Sequence, residues 1–216
     1  TTLFRSFASI DASNTSQGYV MVKYNGTNEK VKLQITCPDQ SCYTYLISDR
    51  GAYDTFPLTA GNGSYALQVL ENVAGDTYTV SLAQSINVSI EDEFLPFLYP
   101  NQYVNFHTDS KAVSKGSDLA KDTYSDLDVV QNIYNYVIKN ISYDTEKAQN
   151  VSYGYVPDID DTLSSKKGIC FDYAALMTSM LRSQNIPTKL EVGYSGDAYH
   201  AWISTYIDDK GWVDDI

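Results

Sequence analysis

The chain has 216 residues, 43% of them hydrophobic and 19% charged, a balance that supports a folded core and argues against disorder. Fifteen basic against 27 acidic residues leave a net charge of −12, which opposes nonspecific binding to nucleic acid or to anionic membrane surfaces. No run approaches the roughly 18 consecutive apolar residues that a membrane span needs.

Up to residue 95 the sequence moves through short segments rich in Val, Ile, Tyr, Thr and Leu, at 18–24, 30–36, 43–48, 65–71, 77–83 and 86–90. Asn25-Gly26, Asn62-Gly63 and Gly75-Asp76 punctuate them with turn chemistry. The spacing predicts an antiparallel β-sandwich over residues 1–95, with little helix. Nothing in it has catalytic spacing, so support, substrate presentation or adhesion is its expected work. Cys37 and Cys42 bracket a tight loop between two of the strands, and a disulfide is expected there provided the α-carbons come within about 7 Å. That pair would leave Cys170 as the odd, free thiol, the cysteine usage of an extracellular enzyme.

Pro96, Pro100 and the polar stretch at 108–111 mark a handover, read as a linker over 96–124. Ser125-Asp126-Leu127-Asp128 then resembles a capping box with Asp in place of Glu, followed by Val129, Val130, Ile133, Tyr134, Val137, Ile138 and Ile141 at one-sided helical spacing. This stripe is expected to pack beneath the site rather than to form a ligand groove. Asp118, Asp122, Asp126 and Asp128, and further on Asp158, Asp160 and Asp161, lack EF-hand spacing and are read as solvated loops. His107 and His200 stand at no zinc-ligand spacing from a cysteine pair. Neither a metal nor a cofactor is expected.

From Cys170 to about Gln184 the chain reads as a nearly all-round apolar, and therefore buried, helix, ended by Asn185 and Pro187. Residues 189–194 read as a strand, 195–197 as a turn and 200–207 as the returning strand, in which His200, Trp202, Ser204 and Tyr206 share one face. A thiol that begins a helix is a nucleophile in waiting. The unpaired N–H groups of the first turn carry partial positive charge and favour thiolate, and an imidazole beside it could hold the proton. The bland alternatives are a small core cysteine and a hydrogen-bonded edge histidine.

Gly168-Ile169-Cys170-Phe171-Asp172-Tyr173-Ala174, the run from Leu181 to Thr188, Tyr199-His200-Ala201-Trp202 and Lys210-Gly211-Trp212 resemble, in order and spacing, the core of bacterial transglutaminase-like proteins. Asn140-Ile141-Ser142-Tyr143-Asp144 upstream is similar to that family too. Several separated motifs agree, across roughly residues 120–216, which makes the resemblance specific. It implies an α+β chain in which the sandwich precedes a papain-like core over 125–216, a helix bearing Cys packed on an antiparallel sheet. It further implies a Cys-His-Asp triad with Cys170 as nucleophile and His200 as base. The family includes cross-linking enzymes, hydrolases and inactive relatives, so membership does not fix the reaction. The expectation is extracellular, thiol-dependent acyl transfer on protein or peptide carboxamides, a cell-wall peptide among the candidate substrates. The alternative, of another class, is a non-catalytic adhesion or scaffold module.

The family's aspartate follows on the next strand, where this sequence offers Asp214 and Asp215. If 208–211 forms the turn, Ile207 faces Trp212, Thr205 faces Asp214 and Ser204 faces Asp215. Asp215 is then four residues from His200, about 13 Å along the strand. It is a weak candidate, and the partner carboxylate is expected beyond residue 216. The 19 tyrosines, with many Asn, Ser and Thr, suit a secreted or surface-exposed bacterial protein, and no basic-plus-apolar leader stands at Thr1, so any signal peptide is expected to have been removed.

Overall fold

The β-branched and aromatic segments of the first half pair into strands. A computed structural model describes residues 7–47 and 51–214 and gives β1 (Ala8–Asp11), β2 (Tyr19–Tyr24), β3 (Val31–Thr36), β4 (Cys42–Leu46), β5 (Tyr53–Pro57), β6 (Gly63–Ala74) and β7 (Thr77–Val88). They form two antiparallel sheets, in the orders β1-β2-β5 and β4-β3-β6-β7. Every second residue points inward, so Val20, Val22 and Phe56 of one sheet meet Leu33, Ile35, Leu67 and Val69 of the other in a single core. This is the sandwich expected, with differences in detail. Residues 77–83 and 86–90 form one strand, and β1 and β5 were not foreseen. Two tyrosines enter this core with their hydroxyls engaged: Tyr24 donates to Glu71 Oε1 (2.7 Å), and Tyr65 donates to the Gly61 carbonyl (2.8 Å). Burial first of all pushes the Tyr65 phenol up to about 12.

The disulfide expected between Cys37 and Cys42 is absent, and both thiols are free. Strand pleating explains it. Cys42 pairs with Thr36, not with Cys37, so the Cys42 side chain shares the outer face with Thr36 while Cys37 continues the inward series of Val31, Leu33 and Ile35. Cys37 is accordingly buried and Cys42 exposed.

One glycine of this unit is required by its surroundings. Gly18 has φ +80°, and a Cβ placed on it would lie 2.4 Å from Cγ of Pro96. Gly18→Ala is expected to destabilise residues 7–96 by about 2 kcal/mol or more, through left-handed strain plus a clash with a rigid ring. Denaturant unfolding of the variant checks this.

By its contacts the chain divides between residues 96 and 97. The second unit contains α1 (Lys111–Leu119), α2 (Asp126–Asn140), β8 (Ser142–Tyr143), α3 (Thr145–Asn150), α4 (Ile159–Ser165), β9 (Lys167–Gly168), α5 (Cys170–Arg182), β10 (Thr188–Ser195), β11 (Ala198–Ile207) and β12 (Gly211–Val213). The stretch expected to be a linker therefore holds a helix. α1 packs on α5 through Gly116, where a Cβ would come 3.0 Å from the Met180 carbonyl. α2 begins as its sequence foretold: the Ser125 hydroxyl accepts from Asp128 N–H at 3.2 Å, although the Asp128 carboxylate reaches back to Ser125 Oγ (2.8 Å) rather than to the Ser125 amide. Its Val129, Val130, Ile133 and Val137 are buried, whereas Tyr134 and Ile138 are exposed.

α5 is the axis of this unit. Ala174, Ala175, Leu176, Met180 and Leu181 all lie inside a core shared with α2 and with Ala201, Ile203 and Ile207 of β11. The sheet β10-β11-β12 is antiparallel, and β8 and β9 form a short parallel pair. Asn185 ends the helix in the left-handed conformation, φ +62°, with Ile186 N–H closing back on the Leu181 carbonyl at 3.1 Å. Several of the acids read as solvated loops are helix caps instead. Asp158 accepts from Asp160 and Asp161 N–H, and Asp160 accepts from Lys111 and Ala112 N–H. Among the described residues, no helix is long and apolar enough to cross a membrane.

Candidate active site

Cys170 is the first residue of α5 and half-buried. Ile169 before it is extended (φ −95°, ψ 176°), so the chain enters the helix directly from β9. The first turn is held by Asp172, whose Oδ2 accepts from Ile169 N–H at 2.8 Å. Asp172 is fully buried. A carboxylate in that position needs partners, and it has two more: Lys147 Nζ lies 2.7 Å from Oδ2, and the Tyr155 hydroxyl donates to Oδ1. Lys147 also donates to Tyr155 Oη at 2.6 Å.

The backbone brings these groups to the helix start. Tyr143 of β8 pairs with Gly168 of β9, and Asp144 N–H donates to the Gly168 carbonyl at 2.9 Å. Asp144 then caps α3, accepting from Lys147 N–H at 3.0 Å, which sets the lysine one turn into a helix beside α5. Gly168 leaves room for the carboxylate, because a Cβ there would come 2.7 Å from Cβ of Asp172. Tyr103 and Tyr155 both meet the Phe171 ring edge-on, at 5.3 and 6.4 Å. Tyr173 donates to the Ile141 carbonyl at 2.6 Å.

Burial works against the Lys147 ammonium, but its hydrogen bonds to Asp172 and Tyr155 and the Asp172 charge outweigh it and hold the pKa above the ordinary lysine value. Burial, then the Asp172 hydrogen bond, pushes the Tyr155 phenol up to about 12. Tyr143 is also pushed up, by burial and then by the charge on Cys170, which places its phenol in the electrostatic neighbourhood of the thiol.

His200 lies near the exposed end of the β10–β11 hairpin and is itself exposed. Arg182, at the far end of α5, donates to the Thr188 carbonyl where β10 begins. From there the helix runs back about 18 Å to Cys170, a length that about five or six strand residues cover. Counting along β10 from Thr188 reaches Gly193, whose partner across the hairpin is His200. By length alone, a hairpin laid straight back along α5 would bring its outer end, with His200, to the level of the helix start. Strand alternation sets His200 with Trp202, Ser204 and Tyr206, as expected, on the face opposite Ala201 and Ile203, which join the α5 core. On that face the Trp202 ring covers Gly193, 2.9 Å from where a Cβ would stand, and Ser204 donates to Glu191. Among the described residues no hydrogen bond links Cys170 to His200.

The turn into β12 corrects the expected register by one residue. Ile207 pairs with Gly211, Tyr206 with Trp212 and Thr205 with Val213. A three-residue connection makes this possible, with Asp209 at φ +68° and Gly211 at φ +80°. Asp214 is exposed and follows the residue opposite Thr205, so it continues the strand at the level of Ser204, well short of His200. Asp215 lies outside the described residues.

Sequence reasoning singled out Cys170 and His200 as candidates, gave Lys147 and Tyr155 no role, and quoted Asp172 without assigning it work. A charged residue inside an otherwise apolar helical run was the one available signal, since such a charge needs a partner.

The model of the transglutaminase-like superfamily matches residues 114–214. A UPF0252 protein of Methanocaldococcus jannaschii is 32% identical over 98 residues, which are 40% of this chain and 28% of that protein. The kyphoscoliosis peptidase of Mus musculus is 30% identical over 107 residues, 44% of this chain and 16% of that one. The chain thus spans a minor part of either curated relative. Among solved structures, a candidate cysteine protease from Cytophaga hutchinsonii aligns over 88% of this chain and 66% of its own, with 16% identity and a TM-score of 0.48. A candidate protease from Parabacteroides distasonis aligns over 91% and 62%, with 11% identity and a TM-score of 0.40. The likeness to the transglutaminase-like superfamily is thus carried by residues 114–214.

Proposed function

We propose that this domain performs acyl transfer on protein or peptide carboxamides through a thioester on Cys170. The Cys170 thiolate adds to the carbonyl carbon, the C–N bond breaks, and the leaving nitrogen departs as ammonia or an amine after taking a proton from His200. Water or an acceptor amine, deprotonated by His200, then takes the acyl group and frees the thiol. The Cys170 backbone N–H, at the helix start, is the natural donor to the oxyanion. The observation that carries the reading is a half-buried thiol on the first residue of a buried helix, inside the stretch that matches the superfamily. The assignment of His200 as base rests on the Tyr199-His200-Ala201-Trp202 motif and its place inside the same matched stretch. An extracellular or surface location belongs to the same reading and rests on composition, because the free Cys37 and Cys42 remove the disulfide argument for an oxidising compartment.

The test is intermediate trapping. The chain is incubated with a glutamine-containing peptide, with and without a primary-amine donor, and analysed by mass spectrometry. A hydroxylamine-labile acyl adduct on Cys170 is expected, with deamidated or cleaved peptide when water is the acceptor and amine-linked peptide when the donor is present. No adduct and no product with any carboxamide would favour the adhesion or scaffold module.

A further inference from the structure

A fully buried carboxylate two residues from a nucleophilic thiol, in the same first turn, is, taken alone, an obstacle. Asp172 sits two residues after Cys170 in the first turn, and like charges in a poorly solvated site disfavour each other. Yet replacing it would strip the helix start of the acceptor that holds Ile169 N–H. Lys147 resolves the conflict, with its Nζ 2.7 Å from the same Oδ2.

We propose that Lys147 is a positioning residue for Cys170: it neutralises the carboxylate that fixes the helix start, so that the thiolate forms at a rigid site without an opposing buried charge. Tyr155 completes the clamp by donating to the other carboxylate oxygen. The proposal rests on Cys170 being the nucleophile.

The other groups around the helix start leave this role to Lys147. Tyr143 and Tyr173 have phenols pushed up, first of all by burial, and so stay neutral near pH 7. Lys167 of β9 is exposed. On the elements packed against α5, Asp160 of α4 is engaged by the amides of α1 and Glu191 of β10 by Ser204. Because the Lys147 pKa is raised, the pair is present below the free lysine value of about 10.4 and is lost only as pH rises through the higher folded value. The Lys147 ammonium therefore stays charged throughout the assay range.

The experiment follows the iodoacetamide alkylation rate of Cys170 against pH, resolved by peptide mass spectrometry, in the folded full chain. Lys147→Met is expected to move the profile to higher pH by about one unit, which is about a tenfold slower reaction near neutrality. Lys147→Arg restores it. Asp172→Asn, which keeps an oxygen for Ile169 N–H and leaves Lys147 in place, moves the profile the other way. The double variant Lys147→Met with Asp172→Asn has neither buried charge and returns close to the wild-type profile. His200 is common to all variants, so its contribution cancels in the differences. Superimposable profiles for the folded variants, or a double variant as slow as Lys147→Met, would overturn the proposal. If Lys147→Met does not fold, Asp172→Asn and the double variant decide alone, the first by a profile moved to lower pH and the second by one close to wild type. A wild-type Cys170 that does not react while Cys42 does would instead refute the nucleophile reading, and so would be told apart from a failure of the clamp.

Discussion

Cys170→Ala is expected to lower turnover of a carboxamide substrate by at least about a thousandfold, the scale on which losing a nucleophile outruns whatever binding and oxyanion stabilisation remain. The same change should leave the melting transition nearly unmoved. Alanine is the best helix former, and removing one half-buried sulfur costs less than about 1 kcal/mol. Kinetics and thermal unfolding on one preparation separate the two. The chain also carries its own controls, because Cys42 is exposed and Cys37 is buried, with its thiol pushed up first of all by desolvation. Residual activity of a tenth or more in Cys170→Ala would remove the thioester from the mechanism.

The largest effect on stability is expected at Arg182. Its side chain is 6% exposed, and burial pushes the guanidinium down to about 9, so it remains charged at neutral pH. No carboxylate pairs with it among the described residues. Its partners are carbonyls: Thr188 O receives Nε at 2.9 Å and a terminal nitrogen at 2.7 Å, and Tyr99 O receives the other at 2.6 Å. The residue thus ties the end of α5 to β10 and to the segment before α1, and adds a cation where the helix carbonyls are partly negative. Arg182→Ala removes three charge-assisted hydrogen bonds at once, for an expected loss of about 3 kcal/mol or more. That corresponds to a melting temperature lower by on the order of 10 °C for this unit. A lysine in its place would keep the charge but not the fork, so Arg182→Lys should fall between. A loss under about 1 kcal/mol would mean that water replaces the guanidinium without strain.

What could be read from the sequence follows from how local each signal is. The helix of Cys170 is legible because its apolar residues leave no polar face, and the hairpin of β10 and β11 because Gly196 breaks two alternating runs. β5 was missed since Phe56 alone of its five residues is buried, leaving no period to detect. β7 was split because it is an edge strand whose polar middle, Gln84 and Ser85, lies in water. The clamp was invisible for another reason. Lys147 and Asp172 are 25 residues apart, and α3 has no buried residue, so only the parallel pairing of β8 with β9 reveals that they meet. The register at β12 failed by one because a glycine with positive φ shortened the turn, a choice that Asp208-Asp209-Lys210-Gly211 does not announce.

The burial gradient along the β10–β11 hairpin bears on time rather than on affinity. Ile203 and Thr205 are fully buried, whereas Tyr194 and Tyr199, which meet edge-on at 5.3 Å, are 76% and 64% exposed, and His200 lies at that outer end. Few apolar contacts hold the tip down, so its amides open at a small fraction of the cost of unfolding the sheet and exchange long before those at Ile203 and Thr205. The proposed base therefore stands on the least buried part of its strand, while the thiol stands at the part of its helix that Asp172 and Lys147 hold. In the proposed mechanism, encounters between the two would be paced by the tip, on the microsecond to millisecond scale of such local openings.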